Sequence, residues 1–473
     1  MEDRNIRMSE LDSVLERIDA DFDASIDRLF RFLSIKSIST DPAYSEDCRA
    51  AAVHLATGLS SLDILAEVHP TDGHPIVFAK SPPVGGDGHR PRVLFYGHYD
   101  VQPVDPLDLW KTPPFEPRIA TLPDGRKAIV ARGACDDKGQ VMTFVEACRA
   151  WKAVTGSLPV DVTFLIEGEE ECGSKHLPKW VEQHRGELGA DVVLVCDTGM
   201  WDPATPAITT ALRGLLYEEI KIKAADRDLH SGLFGGAAQN PIRVLARIIA
   251  AIHDDDGRIT IPGFYDGVKE LPEDVRKEWE GLGLTPEKFL GQVGLSVPAG
   301  EKGRLVIEQV SSRPTCDVNG IWGGYTGPGA KTVIPAEASA KISFRLVGDQ
   351  KPAKIRQAFH AFVRARLPAD CHVEFVGGDH AAPAISLDWN MPQLAEARAA
   401  LTAEWGREAV LIGSGGSIPI VGDFKRLLGL DTLLIGFGLD DDRIHSPNEK
   451  YDLTSFHKGT RSWARILAAL AQG

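Results

Sequence analysis

Four short apolar runs constrain this chain most: 93–96 (VLFY), 163–166 (TFLI), 192–195 (VVLV) and 432–435 (TLLI). None alternates between polar and apolar positions, as expected of strands buried on both faces. Each gives way, at once or shortly after, to acids or histidine: GHYD, EGEEE, CDTG and GFGLDDDRIHSPNEK. Helical stretches separate the runs, the mark of an α/β domain with a largely parallel sheet. In such sheets ligands gather outside the carboxyl ends of the strands. Segments far apart in the chain can therefore deliver polar groups to one rim.

The first 35 residues carry apolar positions at helical spacing (Leu11, Val14, Leu15, Ile18, then Phe22, Ile26, Leu29, Phe30, Leu33), which predicts helices covering that sheet. The texture changes over 211–383. An alternating strand (LYEEIKIKAA) precedes DLHSGLFGG, a helix is predicted over 240–253, and 254–303 is rich in Gly, Pro and charge. A second alternating strand is predicted over 338–347 and a second helix over 355–366. The expectation is a small α+β domain at 211–383 inserted into a larger domain made of 1–210 and 384–473.

Charge and cysteine usage narrow the class. The 52 Lys+Arg against 67 Asp+Glu leave a net charge of −15, which argues against nucleic-acid or anionic-membrane partners. No apolar run approaches the ~18 residues of a membrane span, and MEDRNIRMSELDS does not read as a secretory signal. Seven cysteines without a CxxC pair favour free thiols in a reducing compartment, hence a cytoplasmic location, and argue against thiolate zinc sites.

The rim segments carry the chemistry. His98 and Asp100 form a His-x-Asp pair at a strand end, where the carboxylate can hold a metal-bound imidazole in one tautomer; a structural turn histidine is the plainer alternative. In RGACDDKG, Asp136 or Asp137 can cap the following helix or turn inward as a bridging ligand. Glu169, Glu170 and Glu171 follow a buried strand directly. Acid runs are usually solvated, but at a buried strand end their repulsion calls for a cation. Asp197 and His445 complete two histidines and three carboxylates on five segments. This oxygen- and nitrogen-rich set suits Zn²⁺, with Mn²⁺ or Co²⁺ as substitutes, and one shared carboxylate would allow two ions.

The ordered set GHYDVQPV, GACDDKG, EGEEECGS, CDTG, DLHSGLFGG and IHSPNEK resembles the di-zinc metallopeptidases of the carnosinase, peptidase V, glutamate carboxypeptidase and succinyl-diaminopimelate desuccinylase group. KTVIP, FRLV and GGSIP bring it nearest the cytosolic carnosinase-like dipeptidases. The resemblance implies a di-metal catalytic domain with an inserted lid and dimerisation domain. It gives His98 and Asp197 to one ion, Glu171 and His445 to the other, and Asp136 to both, with a cis Asp136–Asp137 peptide. Asp100 orients His98, and Glu170 is the general base for a metal-bridging hydroxide that attacks the amide carbonyl. His230, from the partner subunit of a homodimer, donates to the oxyanion, while Arg345, Thr332 and Ser417 bind the substrate's terminal carboxylate.

The resulting expectation is a dipeptidase acting on substrates with a free C-terminal carboxylate. An N-acyl-amino-acid amidohydrolase or glutamate-type carboxypeptidase would share the chemistry and differ in the pocket on the acyl side. A catalytically silent metal-binding homologue is disfavoured, because all five ligands and Glu170 are present. Glu169 departs from the apolar residue often found there in related dipeptidases, and is expected either to be solvated or to change the charge at the rim.

Overall fold

A computed structural model describes residues 2–83, 91–377, 381–415 and 418–472. The chain divides into two compact units: Met1–Thr210 with Leu387–Ile412 and Asp423–Gly473, and Ala211–Ser386 with Gly413–Gly422. The first division falls between Thr210 and Ala211. The return to the first unit comes at 387 rather than 384, and 413–422 cluster with the second unit. Ser417 lies outside the described residues.

In the first unit all four apolar runs are strands of one sheet. Its order is Leu65–His69, Ile76–Lys80, Asp161–Glu167, Arg92–His98, Val192–Val195, Thr432–Leu434, then Ala207–Leu212. The four central strands are mutually parallel, with His98 opposite Glu167, Tyr96 opposite Val195 and Leu434 opposite Val195. Antiparallel strands flank this parallel centre. Burial runs unbroken along Val192–Val195 and Thr432–Leu434, which matches their lack of alternation.

Helix Lys138–Thr155 is buried along most of its length. Its Phe144 stacks on Phe95 of the sheet at 3.8 Å between ring centroids and meets Trp463 of helix Leu453–Leu470 edge-on at 5.3 Å. Such ring pairs add about 0.5–1.5 kcal/mol each beyond the area they bury. The predicted N-terminal helices are Glu2–Ala20 and Phe22–Leu33, and Val14, Leu29, Phe32 and Leu33 join the same core. A separate sheet pairs Lys450–Asp452 with Lys127–Val130, and that strand with Arg118–Thr121. Among the described residues no helix is long and apolar enough to cross a membrane.

The second unit is built on an antiparallel sheet ordered Thr315–Gly323, Glu337–Leu346, Gly214–Lys223, His372–Val376. Gly214–Lys223 alternates buried and half-buried positions, as its sequence predicts. Leu216, Ile220 and Ile222 share a core with Ala340, Ile342 and Phe344 and with the helices Pro241–Ala250 and Pro352–Arg364. Asn240 caps the first helix by accepting the Ile242 amide at 2.9 Å. The second begins before the expected 355 because Pro352 occupies its first turn, where a missing N–H costs nothing. Within 254–303 the chain forms a further helix, Glu273–Gly281, which buries Val275 and Trp279 one turn apart.

Candidate active site

Because the central strands are parallel, their carboxyl ends share one edge of the sheet. His98 is the last residue of Arg92–His98, and Glu170 and Glu171 follow Asp161–Glu167 in a short 3₁₀ turn. Asp197 follows Val192–Val195, and His445 lies in the loop after Thr432–Leu434. Asp136 comes from the turn between strand Lys127–Val130 and helix Lys138–Thr155. The Asp197 and His445 segments touch at Gly436, where an added Cβ would lie 2.0 Å from the Thr198 carbonyl oxygen. Only glycine permits that approach. His445 itself has φ +59°, in the left-handed region that non-glycine residues rarely occupy. Asn448 holds this loop by donating to the Leu109 carbonyl and accepting the Lys111 amide, both at 2.8 Å.

The side chains converge in two groups that share Asp136. Ligand-capable atoms of His98, Asp136 and Asp197 lie within 4.8 Å of one another, and so do those of Asp136, Glu171 and His445. Asp136 divides its oxygens: Oδ1 is 3.1 Å from His98 Nε2, and Oδ2 is 2.9 Å from His445 Nε2. His98 Nε2 also lies 3.9 Å from Asp197 Oδ2, and His445 Nε2 lies 3.1 Å from Glu171 Oε2. His98 Nδ1 faces away, 3.1 Å from the Asp100 carbonyl and 3.3 Å from its Oδ1. Acceptors therefore face both ring nitrogens of His98. The Asp136–Asp137 peptide is cis.

The titration tendencies show how crowded the negative charge is. Burial, reinforced by Asp197, Glu171 and Asp136, pushes Glu170 up to about 8. Burial and Asp136 push Asp197 up to about 7. Burial also opposes ionisation of Asp136, yet His445 and His98 hold it below the usual carboxylate range. Asp136 and Glu171 raise His445 to about 10. Four carboxylates meeting two imidazoles leave a surplus of negative charge, which divalent cations would balance. The donors are nitrogen and oxygen only, a set that fits two such ions.

Several neighbours hold the cluster in place. Asp100 does more than face His98: its Oδ1 accepts the Glu170 amide at 3.3 Å and its Oδ2 the Glu171 amide at 3.1 Å. One carboxylate thus ties the two acid-bearing residues to the histidine strand. Gln102 Nε2 donates to Glu171 Oε2 at 2.7 Å. Asp137 stands at the helix N-cap position, but its side chain does not cap. It accepts the His98 amide at 3.1 Å instead. Glu449 is fully buried and accepts from Arg132 Nη1 (2.8 Å) and from the amides of Gly133 (2.9 Å), Cys135 (2.9 Å) and Asp136 (3.1 Å). Asp137, read from the sequence as a helix cap or bridging ligand, does neither, and Gln102 and Glu449 carry no role in the sequence analysis. The available signal for Glu449 is its place in IHSPNEK, just before a short strand. Glu169 is not solvated; it is buried against His176 Nδ1 at 2.8 Å.

His230, Thr332 and Arg345 belong to the second unit. His230 is exposed and pairs with Val333 in a short antiparallel ladder, and its Nδ1 accepts the Gly232 amide at 3.0 Å. The Thr332 carbonyl accepts the neighbouring Ser231 amide at 3.0 Å. Arg345 lies on strand Glu337–Leu346, opposite Thr315 and Leu215.

Residues 94–469 match the peptidase family M20/M25/M40. The chain belongs to this family. The M20 chain is 31% identical to the human Beta-Ala-His dipeptidase over 483 residues, 98% of this chain and 93% of that one. It is 30% identical to the Cys-Gly metallodipeptidase dug1 of Schizosaccharomyces pombe, covering 98% of each. Among solved structures it is similar to an M20 family metallo-carboxypeptidase from Sulfolobus solfataricus, with TM-score 0.77 and 31% identity over 95% of this chain and 99% of that one. The M20 chain is therefore an enzyme, a peptidase, as its motifs imply.

Proposed function

We propose that this M20 peptidase hydrolyses the amide bond of dipeptides that carry a free C-terminal carboxylate. The observation that carries the reading is the pair of ligand groups sharing Asp136, with Glu170 beside them. The names of two relatives, a Beta-Ala-His dipeptidase and a Cys-Gly metallodipeptidase, support the substrate class.

His98 and Asp197 would hold one ion, Glu171 and His445 the other, and Asp136 both; Zn²⁺ suits these donors best, with Mn²⁺ or Co²⁺ as substitutes. When bound, the ions would acidify a water molecule and polarise the scissile carbonyl. Glu170 takes the proton of the attacking water on a carboxylate oxygen and passes it to the leaving amine nitrogen. Asp100 holds the His98 ring and the Glu170–Glu171 backbone in fixed relation. His230 supplies a donor to the developing oxyanion from the partner subunit of a homodimer, and Arg345, Thr332 and Ser417 bind the terminal carboxylate. Exposed Leu233, Phe234, Ile321, Trp322 and Tyr325 on the second unit support association of two copies. Seven free cysteines support a reducing, cytoplasmic setting.

The alternative is an N-acyl-amino-acid amidohydrolase or a glutamate-type carboxypeptidase, and the name of the solved metallo-carboxypeptidase relative favours the second of these. Amine release from free dipeptides and their N-acylated counterparts separates the two. The enzyme is stripped of metal and reloaded with Zn²⁺, Mn²⁺ or Co²⁺. Metal-restored cleavage confined to free dipeptides supports the dipeptidase. Preference for the acylated set moves the assignment to a deacylase or carboxypeptidase.

A further inference from the structure

Among the described residues of the second unit, two partly buried arginines, Arg213 and Arg345, have no carboxylate at ion-pair distance. Arg345 sits opposite Leu215 in the antiparallel ladder, and Arg213 precedes Leu215 by two residues. Arg213 lies just before strand Gly214–Lys223, and the charge of Arg345 is felt at its guanidinium. Both are partly buried. Among the described residues neither guanidinium has a carboxylate within ion-pair distance, and Arg213 Nε is buried without a hydrogen-bond partner. Asp317, whose charge acts on Arg213, is exposed and accepts from Thr315 Oγ1 at 3.2 Å. Burial and the charge of Arg345 together pull the Arg213 guanidinium down to about 10. The other wall is glycine: a Cβ at Gly415 would lie 2.9 Å from Arg213 Nη2. The Arg213 amide also donates to the Ser414 carbonyl at 3.3 Å.

Two adjacent, partly buried guanidiniums repel each other unless an anion joins them. If Arg345 grips the α-carboxylate, one positive charge is left over, at Arg213. We propose that Arg213 and Arg345 form a paired-guanidinium subsite that selects substrates whose C-terminal residue carries a second, side-chain carboxylate. The proposal rests on the reading of Arg345 as the carboxylate clamp. It adds a substrate class, dipeptides ending in Asp or Glu, and a specificity-determining residue, Arg213. The planar forks can take one carboxylate each.

The test compares kcat/KM for Gly-Glu and Gly-Gln, and for Gly-Asp and Gly-Asn, in the metal-loaded enzyme and in Arg213→Gln and Arg213→Lys. A charge-assisted contact predicts an acidic-over-amide preference of about tenfold to a hundredfold, expressed mainly in KM. Arg213→Gln should lose about tenfold more on the acidic member of each pair than on the amide member, and Arg213→Lys should recover part of the difference. Binding of glutarate and butyrate, measured by calorimetry, is a readout that does not need turnover. Wild type should prefer glutarate, and Arg213→Gln should lose that preference. If no dipeptide is cleaved but the glutarate preference holds and depends on Arg213, the dipeptidase reading fails and the subsite stands. Equal handling of acidic and amide substrates by wild type overturns the subsite. So does a glutarate preference that survives in Arg213→Gln.

Discussion

Replacing Glu449 by Gln should unfasten the turn that carries Asp136. The carboxylate takes four N–H groups, from Arg132, Gly133, Cys135 and Asp136, and has no exposed surface. Oε2 receives Arg132 and Gly133, while Oε1 receives Cys135 and Asp136. A Gln amide keeps one oxygen and turns an NH₂ group toward two donors. Two buried donors are stranded at about 1–3 kcal/mol each. Arg132, itself buried, also loses its counter-ion, and breaking such a pair costs about 3–5 kcal/mol. These terms overlap, so a total of about 3–5 kcal/mol is expected rather than their sum. In a unit of this size that lowers the melting temperature by roughly 6 °C or more. The loosened turn should also weaken metal binding, because Asp136 serves both ligand groups. Thermal unfolding of the stripped protein reads the first effect, and competition with a chelator reads the second. A stripped variant melting within about 1 °C of wild type, with unchanged chelator competition, would refute the reasoning.

Asp100→Asn should weaken metal affinity about 10–100-fold, since its amide cannot serve the Glu170 and Glu171 amides and the His98 ring together; titration with Co²⁺ followed by absorbance checks this, and wild-type affinity would count against it. Phe144→Ala should cost about 3–5 kcal/mol in denaturant unfolding, because the ring is fully buried between Phe95 and Trp463; a loss below about 1 kcal/mol would show that the core refills the space. Stripping metal should lower the melting temperature, and re-addition should raise it with metal concentration, as linkage to the folded state requires; a melting temperature indifferent to metal would oppose the two-ion reading. His230→Ala mixed with Glu170→Gln should regain part of the activity each lacks, provided subunits exchange. A verified heterodimer with no recovery would exclude a site shared between subunits.

The parallel centre of the sheet was legible because burial on both faces leaves a local mark, an apolar run without alternation. The start of the second unit was legible for a similar reason, through the alternation of Gly214–Lys223. The convergence of His98, Asp136, Glu171, Asp197 and His445 could be anticipated from strand ends and shared motifs. Their supports could not, because those depend on contacts far apart in sequence: Glu449 meets the Asp136 amide across 313 residues. Asp137 misled for a different reason. A helix cap is a local device, yet its carboxylate serves the His98 amide on another strand. Glu169 shows the limit of reading acid runs as solvated, since His176 draws it inward. Helix Glu273–Gly281 was hidden in a charged stretch because only Val275 and Trp279 mark its buried side.

The order of the chain has a consequence for synthesis. The first unit is interrupted after Thr210, and its sheet receives its last central strand, Thr432–Leu434, only after the whole of the second unit has been made. His445, the clamp at Glu449 and the helix Leu453–Leu470 that packs on Phe144 come later still. A growing chain therefore carries His98, Asp136, Glu171 and Asp197 through most of its elongation without the histidine that completes the second ligand group. The ribosome releases these acids long before it releases His445 and Glu449.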